Sequence, residues 1–311
     1  VFRPSTEIIR SLGIALILWY GGGQVLQGKI EFGVLFAFIN YIKQFFQPIN
    51  DLTEKYNVLQ SAMASSERIF ALLDEESTIQ DANNSINNHI FKGEIEFKDV
   101  WFAYEGEDWV LKAINFKVSP GESIAFVGAT GAGKSSIIHL IGRFYDVQKG
   151  EILVDGVNIK NIPLKDLRKN IGILLQDVFM FAGTVKDNIV LSNGSFSQEE
   201  VEKVAKYVNA HQFIKRLKRQ YDEQLVEKGH NLSTGQRQLL SFARALIYNP
   251  SVFIFDEATS NIDTETESLI QDAIEKIIKD KTTIAIAHRL STIKNCDKII
   301  VLHKGEIHEC G

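Results

Sequence analysis

The residues best suited to chemistry form one short run: Gly128, Ala129, Thr130, Gly131, Ala132, Gly133, Lys134 and Ser135. Glycines at this spacing let a backbone turn tightly with its amides pointing inward and no Cβ in the way. The apolar helix expected from Ile137 to Ile141 adds the partial positive charge of its N-terminus. The product is a nest for anions. The run fits GxxxxGK[ST], in which the lysine reaches the β- and γ-phosphates of a nucleotide and the hydroxyl ligates Mg2+, so Lys134 and Ser135 take those parts. A glycine-rich turn with no ligand is the plainer reading; the apolar residues Ser123 to Val127 before the run and the apolar helix after it speak for the phosphate nest. Further along, Val252, Phe253, Ile254 and Phe255 read as a buried strand that delivers Asp256 and Glu257 to its carboxyl end. Asp256 suits Mg2+, directly or through water. Glu257 is placed to polarise a water in line with the γ-phosphate. The two runs together describe ATP binding and hydrolysis with Mg2+.

Such groups need a sheet to hold them. From Gly93 onward, short apolar strands (Ile95 to Phe97, Ser123 to Val127, Val252 to Phe255, Thr283 to Ala287) alternate with helical stretches, the pattern of an α/β domain over residues 91–311. Before it, residues 77–90 are rich in Ser, Asn and Asp with little periodicity and read as a linker. Residues 1–76 have a different chemistry. Ser11 to Gly28 carries no charge and just reaches the length of a membrane-spanning helix, bracketed by Arg10 and Lys29. A second apolar run over 32–50 is interrupted by Lys43, which suggests a helix lining a pathway. It continues as an amphipathic helix through Leu52, Tyr56, Leu59, Met63, Phe70 and Leu73, with a stop expected near Asp74 to Glu76. Arg3, Arg10, Lys55 and Arg68 favour both ends on the cytoplasmic side, with Lys29 and Glu31 outside. A soluble helical hairpin is the alternative.

At 311 residues and 45% hydrophobic, two structural units are expected. The net charge of -5 offers no basic footprint for nucleic acid. Cys296 and Cys310 are too few for a disulfide scaffold and lack zinc spacing, and a reducing cytosol suits most of the chain. The start at Val1, without an initiator Met or a signal peptide, and the abrupt end at Gly311 suggest a piece cut from a longer protein.

The residues assembled so far resemble the ABC transporter superfamily, in particular exporters whose membrane and nucleotide-binding domains share one chain. The diagnostic element is Leu232, Ser233, Thr234, Gly235 and Gln236, which stands in the place of the family signature. The first segment, from LWYGGGQVLQGKIEFGVLFAFINYIKQFFQPINDL to QSAMASSERIFALLD, is similar to the exporters' last two membrane helices. The resemblance implies an α/β nucleotide-binding domain, a P-loop ATPase core with an antiparallel β subdomain and a helical subdomain, preceded by a transmembrane α-helical segment. It implies an ATP-binding set of Tyr104, which stacks on adenine, with Gly128, Thr130, Gly131, Ala132, Gly133, Lys134, Ser135 and Ser136. Catalysis falls to Glu257, His288 and Gln176, and Mg2+ to Ser135, Gln176 and Asp256. Asp263 belongs to a loop facing the partner domain. The implied assembly is a dimer of half-transporters in the plasma membrane. Each ATP lies between one cradle and the other's signature, four further membrane helices precede this segment, and the cargo is a drug, lipid or peptide.

Two residues depart from the family pattern. Thr234 stands where glycine is usual, and Val226 replaces another glycine upstream. An atypical signature beside an intact Glu257 resembles one half of a heterodimeric exporter with two unequal ATP sites. Against transport stand two alternatives: a soluble ATPase of repair or translation, which predicts a basic surface and no membrane helices, and an ATP-gated channel or regulatory module with little turnover. His139, His211, His230, His303 and His308 show no ligand spacing and read as structural or surface residues. The basic run Lys215, Arg216, Lys218 and Arg219 reads as a solvated helix face, as do Glu265, Glu267 and Asp272.

Overall fold

In a computed structural model of the protein, the described residues are 2–75, 77–82, 86, 89–174, 178–191, 196–256, 264–286 and 293–311. The chain divides into two compact units, residues 1–77 and 78–311.

The first unit is a pair of helices, α1 (Phe2–Leu26) and α2 (Phe32–Leu73). They run antiparallel, because Thr6 Oγ1 donates to Asn50 Oδ1 at 3.0 Å near one end while Gly21 meets Leu35 near the other. A Cβ on Gly21 would lie 2.6 Å from Leu35 Cδ1, so glycine lets the two helices approach closely there. The outer faces are apolar and bare: Trp19 is 80% exposed and Phe32 70%. Apolar surface on this scale requires lipid or other protein against it. Ser5–Leu26 is long and apolar enough to cross a membrane, with a mean hydropathy of 1.3; it is the one such helix among the described residues. This apolar helix begins earlier than the charge-free run from Ser11, with Arg10 inside it. Gln27 and Gly28 fall in the closing turn, bonded back to Gly23 and Val25. The second run, 32–50, misses the same measure because Asn40, Lys43, Gln44, Gln47 and Pro48 dilute it. Pro48 also withholds an amide from the carbonyl four residues back. Helix α2 nonetheless continues unbroken for 42 residues and ends where expected, with the Asp74 amide donating to Phe70 O.

In the second unit the segment before the first strand is tied down at several points. Arg143 Nη2 donates to Gln80 O (3.0 Å), the Leu164 amide to Asp81 Oδ1 (2.7 Å) and the Ile86 amide to Asn161 O (2.8 Å). Asp155 then accepts from the amides of Lys92, Gly93 and Glu94. This stretch reads as a linker from its composition; among its described residues the Gln80 carbonyl, the Asp81 carboxylate and the Ile86 amide bond to the rest of the second unit.

The chain then lays down β1 (Ile95–Ala103), β2 (Trp109–Val118), β3 (Ser123–Val127), α3 (Lys134–Ile141), β4 (Lys149–Val154), β5 (Val157–Asn158), α4 (Leu164–Asn170) and β6 (Ile171–Leu174). A helical portion follows: β7 (Gly183–Thr184), α5 (Val185–Val190), α6 (Gln198–Tyr207), α7 (His211–Arg216), β8 (Gln224–Leu225) and α8 (Thr234–Leu246). The chain closes with β9 (Val252–Asp256), α9 (Thr264–Asp280), β10 (Thr282–Ile286), β11 (Lys298–His303) and β12 (Glu306–Cys310). One sheet is antiparallel, in the order β2-β1-β4-β5; the other runs β12-β11-β3-β10-β9-β6 and is parallel except at β12. Strands β3, β9 and β10 are buried on both faces, which is why they show little polar alternation. Alternation along β9 divides the interior. Val252 and Ile254 join the core with the antiparallel sheet and α3, while Phe253 and Phe255 join the core with α5, α8 and α9. The helical portion is fastened by capping boxes at Thr184 with Asp187, Ser197 with Glu200 and Ser233 with Gln236. The basic run straddles the end of α7, with Lys215, Arg216, Lys218 and Arg219 all exposed.

Candidate functional site

In an open parallel sheet, ligands bind beyond the carboxyl ends of the strands. Here β3 runs into the glycine-rich loop and β9 ends on Asp256, two neighbours of β10 in the sheet. Gly133 caps α3 with φ 100°, and a Cβ there would meet Leu111 Cδ2 at 2.6 Å. Glycine is needed for the backbone shape and for the space at once. Lys134 is only 6% exposed, and its ammonium donates to Gly128 O (2.8 Å) and Ala129 O (3.0 Å). These carbonyls compensate the buried charge and hold it at the heart of the loop.

A cavity of about 600 Å3 opens beside this loop. Tyr104, Thr130, Gly131, Gly133, Lys134, Ser135, Ser136 and Asp256 line it, so it gathers most of the ATP-binding set expected from the sequence. Gly128 and Ala132 are not among its lining; Gly128 serves through its carbonyl, and Ala132 is buried behind the loop, where its own carbonyl accepts from the Gly305 amide. Val110 and Ile286 complete the wall and escaped sequence reasoning, since a single apolar residue on a strand carries no signal of its own. Ser135 and Asp256 bring a hydroxyl and a carboxylate to the same space. These hard oxygen donors suit Mg2+, which is held by one or two protein oxygens together with substrate phosphates. Among the described residues no cluster of three or more His, Cys, Asp or Glu forms a metal cage.

Tyr104, 45% exposed, closes one side of the cavity. Its hydroxyl lies 3.0 Å from Ser136 Oγ and 3.1 Å from His139 Nδ1, and its ring meets Phe102 and Tyr145 edge to face. The signature residues lie elsewhere and line no part of this cavity. Leu232 is buried in the helical core. Ser233 caps α8, its hydroxyl accepting from the Gln236 amide at 3.2 Å while Gln236 Oε1 accepts from the Ser233 amide at 3.0 Å. Thr234 Oγ1 accepts from Arg237 Nη2 at 3.2 Å, and Gly235 is buried. The exposed Ser233 and Thr234 thus stand at the positive end of a 13-residue helix. Gln176, Glu257, Asp263 and His288 lie outside the described residues.

Sequence reasoning missed Arg244. Its guanidinium donates to Asn188 O (2.7 Å), Phe179 O (2.8 Å) and Asn188 Oδ1 (3.0 Å), joining α8 to α5 and to the loop before it. Burial pushes its pKa down, yet a guanidinium stays charged. Of the histidines, His211 pairs with the Tyr221 hydroxyl at 2.7 Å; burial lowers its pKa and raises that of Tyr221 to about 12.

The ABC transporter family profile matches residues 111–260. Over 307 residues the chain is 44% identical to a probable multidrug resistance ABC transporter ATP-binding/permease protein, YheH, of Bacillus subtilis, covering 98% of this chain and 45% of that protein. It is 42% identical over 308 residues to an ATP-dependent lipid A-core flippase of Syntrophus aciditrophicus, covering 99% of this chain and 51% of the flippase. A solved structure of a bacterial Atm1-family ABC exporter with ATP bound superposes with a TM-score of 0.73 at 35% identity, over 98% of this chain and 53% of that one. The chain thus spans about half the length of the curated relatives it matches.

Proposed function

We propose, from the premise that this chain belongs to the ABC transporter family, that it is the ATP-binding and ATP-hydrolysing part of an exporter subunit. The observation that carries this reading is the single cavity that brings Lys134, Ser135 and Asp256 together at the carboxyl ends of β3 and β9. In this reading residues 1–76 supply the last two membrane helices, 77–90 the linker and 91–311 the nucleotide-binding domain. Tyr104 flanks the base. The loop amides and Lys134 hold the β- and γ-phosphates, Lys134 exchanging the carbonyls of Gly128 and Ala129 for phosphate oxygens. Ser135, Asp256 and Gln176 hold Mg2+, which when bound neutralises charge on the phosphates. Glu257 takes the proton of the attacking water, and His288 faces the γ-phosphate.

The site is completed from a second half-transporter. The exposed α8 terminus, with Leu232, Ser233, Thr234, Gly235 and Gln236, turns the positive end of its dipole toward the nucleotide of the partner's cradle, and Asp263 belongs to the facing loop. Closure around ATP is coupled to the membrane helices and drives a drug, lipid or peptide-like substrate outward. The bare apolar faces of α1 and α2 support a multi-pass position in the plasma membrane with the nucleotide domain in the cytoplasm. Thr234 supports an unlike partner: this chain lends its cradle and Glu257 to the competent site and its signature to the weaker one.

The test is reconstitution of the full-length protein, with and without its suspected partner, in vesicles supplied with Mg-ATP. The reading expects ATPase that is stimulated by hydrophobic or lipid-like compounds, together with their ATP-dependent movement across the bilayer. An ATP-evoked ion current without turnover would replace it with a nucleotide-gated channel.

A further inference from the structure

We infer that His139 is a positioning residue of the nucleotide site, holding the hydroxyl of Tyr104 so that its ring stays seated against the helix that carries the phosphate cradle. Tyr104 follows the last residue of β1 and enters an exposed turn, 104–108, where the backbone alone fixes a side chain weakly. Its hydroxyl is nonetheless held at two points, Ser136 Oγ at 3.0 Å and His139 Nδ1 at 3.1 Å. Ser136 and His139 are three residues apart on α3, hence on one face of that helix. That helix begins with Lys134 and follows directly on the anion nest. One hydroxyl therefore links the aromatic side of the cavity to its phosphate side.

The two holds are not equivalent. Ser136 is 6% exposed and lines the nucleotide cavity, so a bound phosphate competes with Tyr104 for its hydroxyl. His139 is not among the lining residues, and no phosphate in the cavity draws on its ring. It is packed among aromatics, with ring centroids 6.2 Å from Phe144 and 6.1 Å from Tyr145. When the cavity is filled, His139 is the hold that remains. A residue that read as ordinary structure, because its spacing to other histidines meant nothing, gains a role through a contact with a tyrosine 35 positions away.

This inference rests on the reading that the cavity takes ATP with its base at Tyr104. The experiment uses the full-length protein, steady-state ATPase and thermal unfolding, on His139→Leu, His139→Asn, Tyr104→Phe, the double variant His139→Leu/Tyr104→Phe, and Tyr104→Ala. His139→Leu should raise KM for ATP by roughly three- to ten-fold, the worth of one hydrogen bond, with kcat held within about two-fold. Tyr104→Phe, which removes this bond together with the one to Ser136, should raise KM at least as much, and the double variant should be no worse than Tyr104→Phe alone, since His139 then has no hydroxyl to hold. His139→Asn, which still offers a hydrogen-bonding partner, should recover most of the loss. A wild-type KM in His139→Leu at unchanged thermal midpoint, or effects that multiply in the double variant, would overturn the inference. Tyr104→Ala separates the two levels. A raised KM there beside a silent His139→Leu removes only the role of His139, while an unchanged KM in Tyr104→Ala removes the base platform and the inference with it.

Discussion

Lys134 concentrates the chemistry of the site in one ammonium, and its two carbonyl contacts say what its removal does. Lys134→Ala deletes a charge-assisted donor to the phosphates, so ATP binding should weaken by roughly ten- to a hundred-fold or more, measured by titration with a fluorescent ATP analogue. The fold should persist, because the ammonium bonds only to carbonyls of its own loop and ties no second element to it. At Asp297 the readout is acid stability. The hydroxyl and amide of Ser123 both donate to its Oδ2, at 2.7 and 2.8 Å, and these bonds hold the carboxyl below the usual range. Because the folded pKa is depressed, the stabilisation is fully present above the ordinary Asp range, about pH 4, and is lost as pH falls through the lowered value. Melting temperature followed from pH 7 to pH 3 should fall more steeply for wild type than for Asp297→Asn, which starts lower and is flatter. The phosphate cradle was legible because its residues are consecutive and each glycine has a backbone reason to be there. The bonds of Tyr104 with Ser136 and His139 were not, since they depend on how β1 lies against α3.

Among the elements, the parallel strands were the easiest to read: burial on both faces leaves mostly apolar residues, with Ser123, Thr282 and Thr283 the buried exceptions at their starts, and β3, β9 and β10 stand where the runs placed them. Strands β4 and β12 carry exposed polar residues and matched no pattern. The stop of α2 at Leu73 was visible as the loss of periodicity, whereas the bonds of Gln80, Asp81 and Ile86 to the second unit were not, because a polar run signals a turn but not the surface it bonds to. Arg244 shows how an element can be held from outside its own pattern. Removing its guanidinium strands the part-buried Asn188 carbonyl and loosens the loop at Phe179. Arg244→Ala should therefore cost about 2–4 kcal/mol in urea unfolding, with Arg244→Lys recovering only part, since an ammonium cannot reproduce the planar fork. At Gly133 a Cβ collides with Leu111 in a backbone shape that L residues avoid. Gly133→Ala should thus impair ATP binding and stability together, unlike Lys134→Ala.

At the scale of the molecule, the proposed site joins one chain's cavity to residues 232–236, which do not line it. If a second chain supplies the missing wall, ATPase should rise more than linearly with protein concentration in detergent. If the partner is unlike, the chain alone should turn over slowly and Thr234→Gly should raise the activity of its homodimer; equal activity before and after the substitution would argue for two like halves. The first unit was legible only in outline: the charge-free run from Ser11 just reached the length of a span, and the second helix, diluted by Lys43 and Pro48, was expected from resemblance rather than from composition. The central claim is hydrolysis at the cradle by a carboxylate at the end of β9. Its most direct test is Glu257→Gln in the full-length protein, with Mg-ATP turnover and ATP binding measured on the same sample. The account predicts that turnover falls by at least roughly a hundred-fold while ATP binding is retained. Undiminished turnover in Glu257→Gln would contradict it.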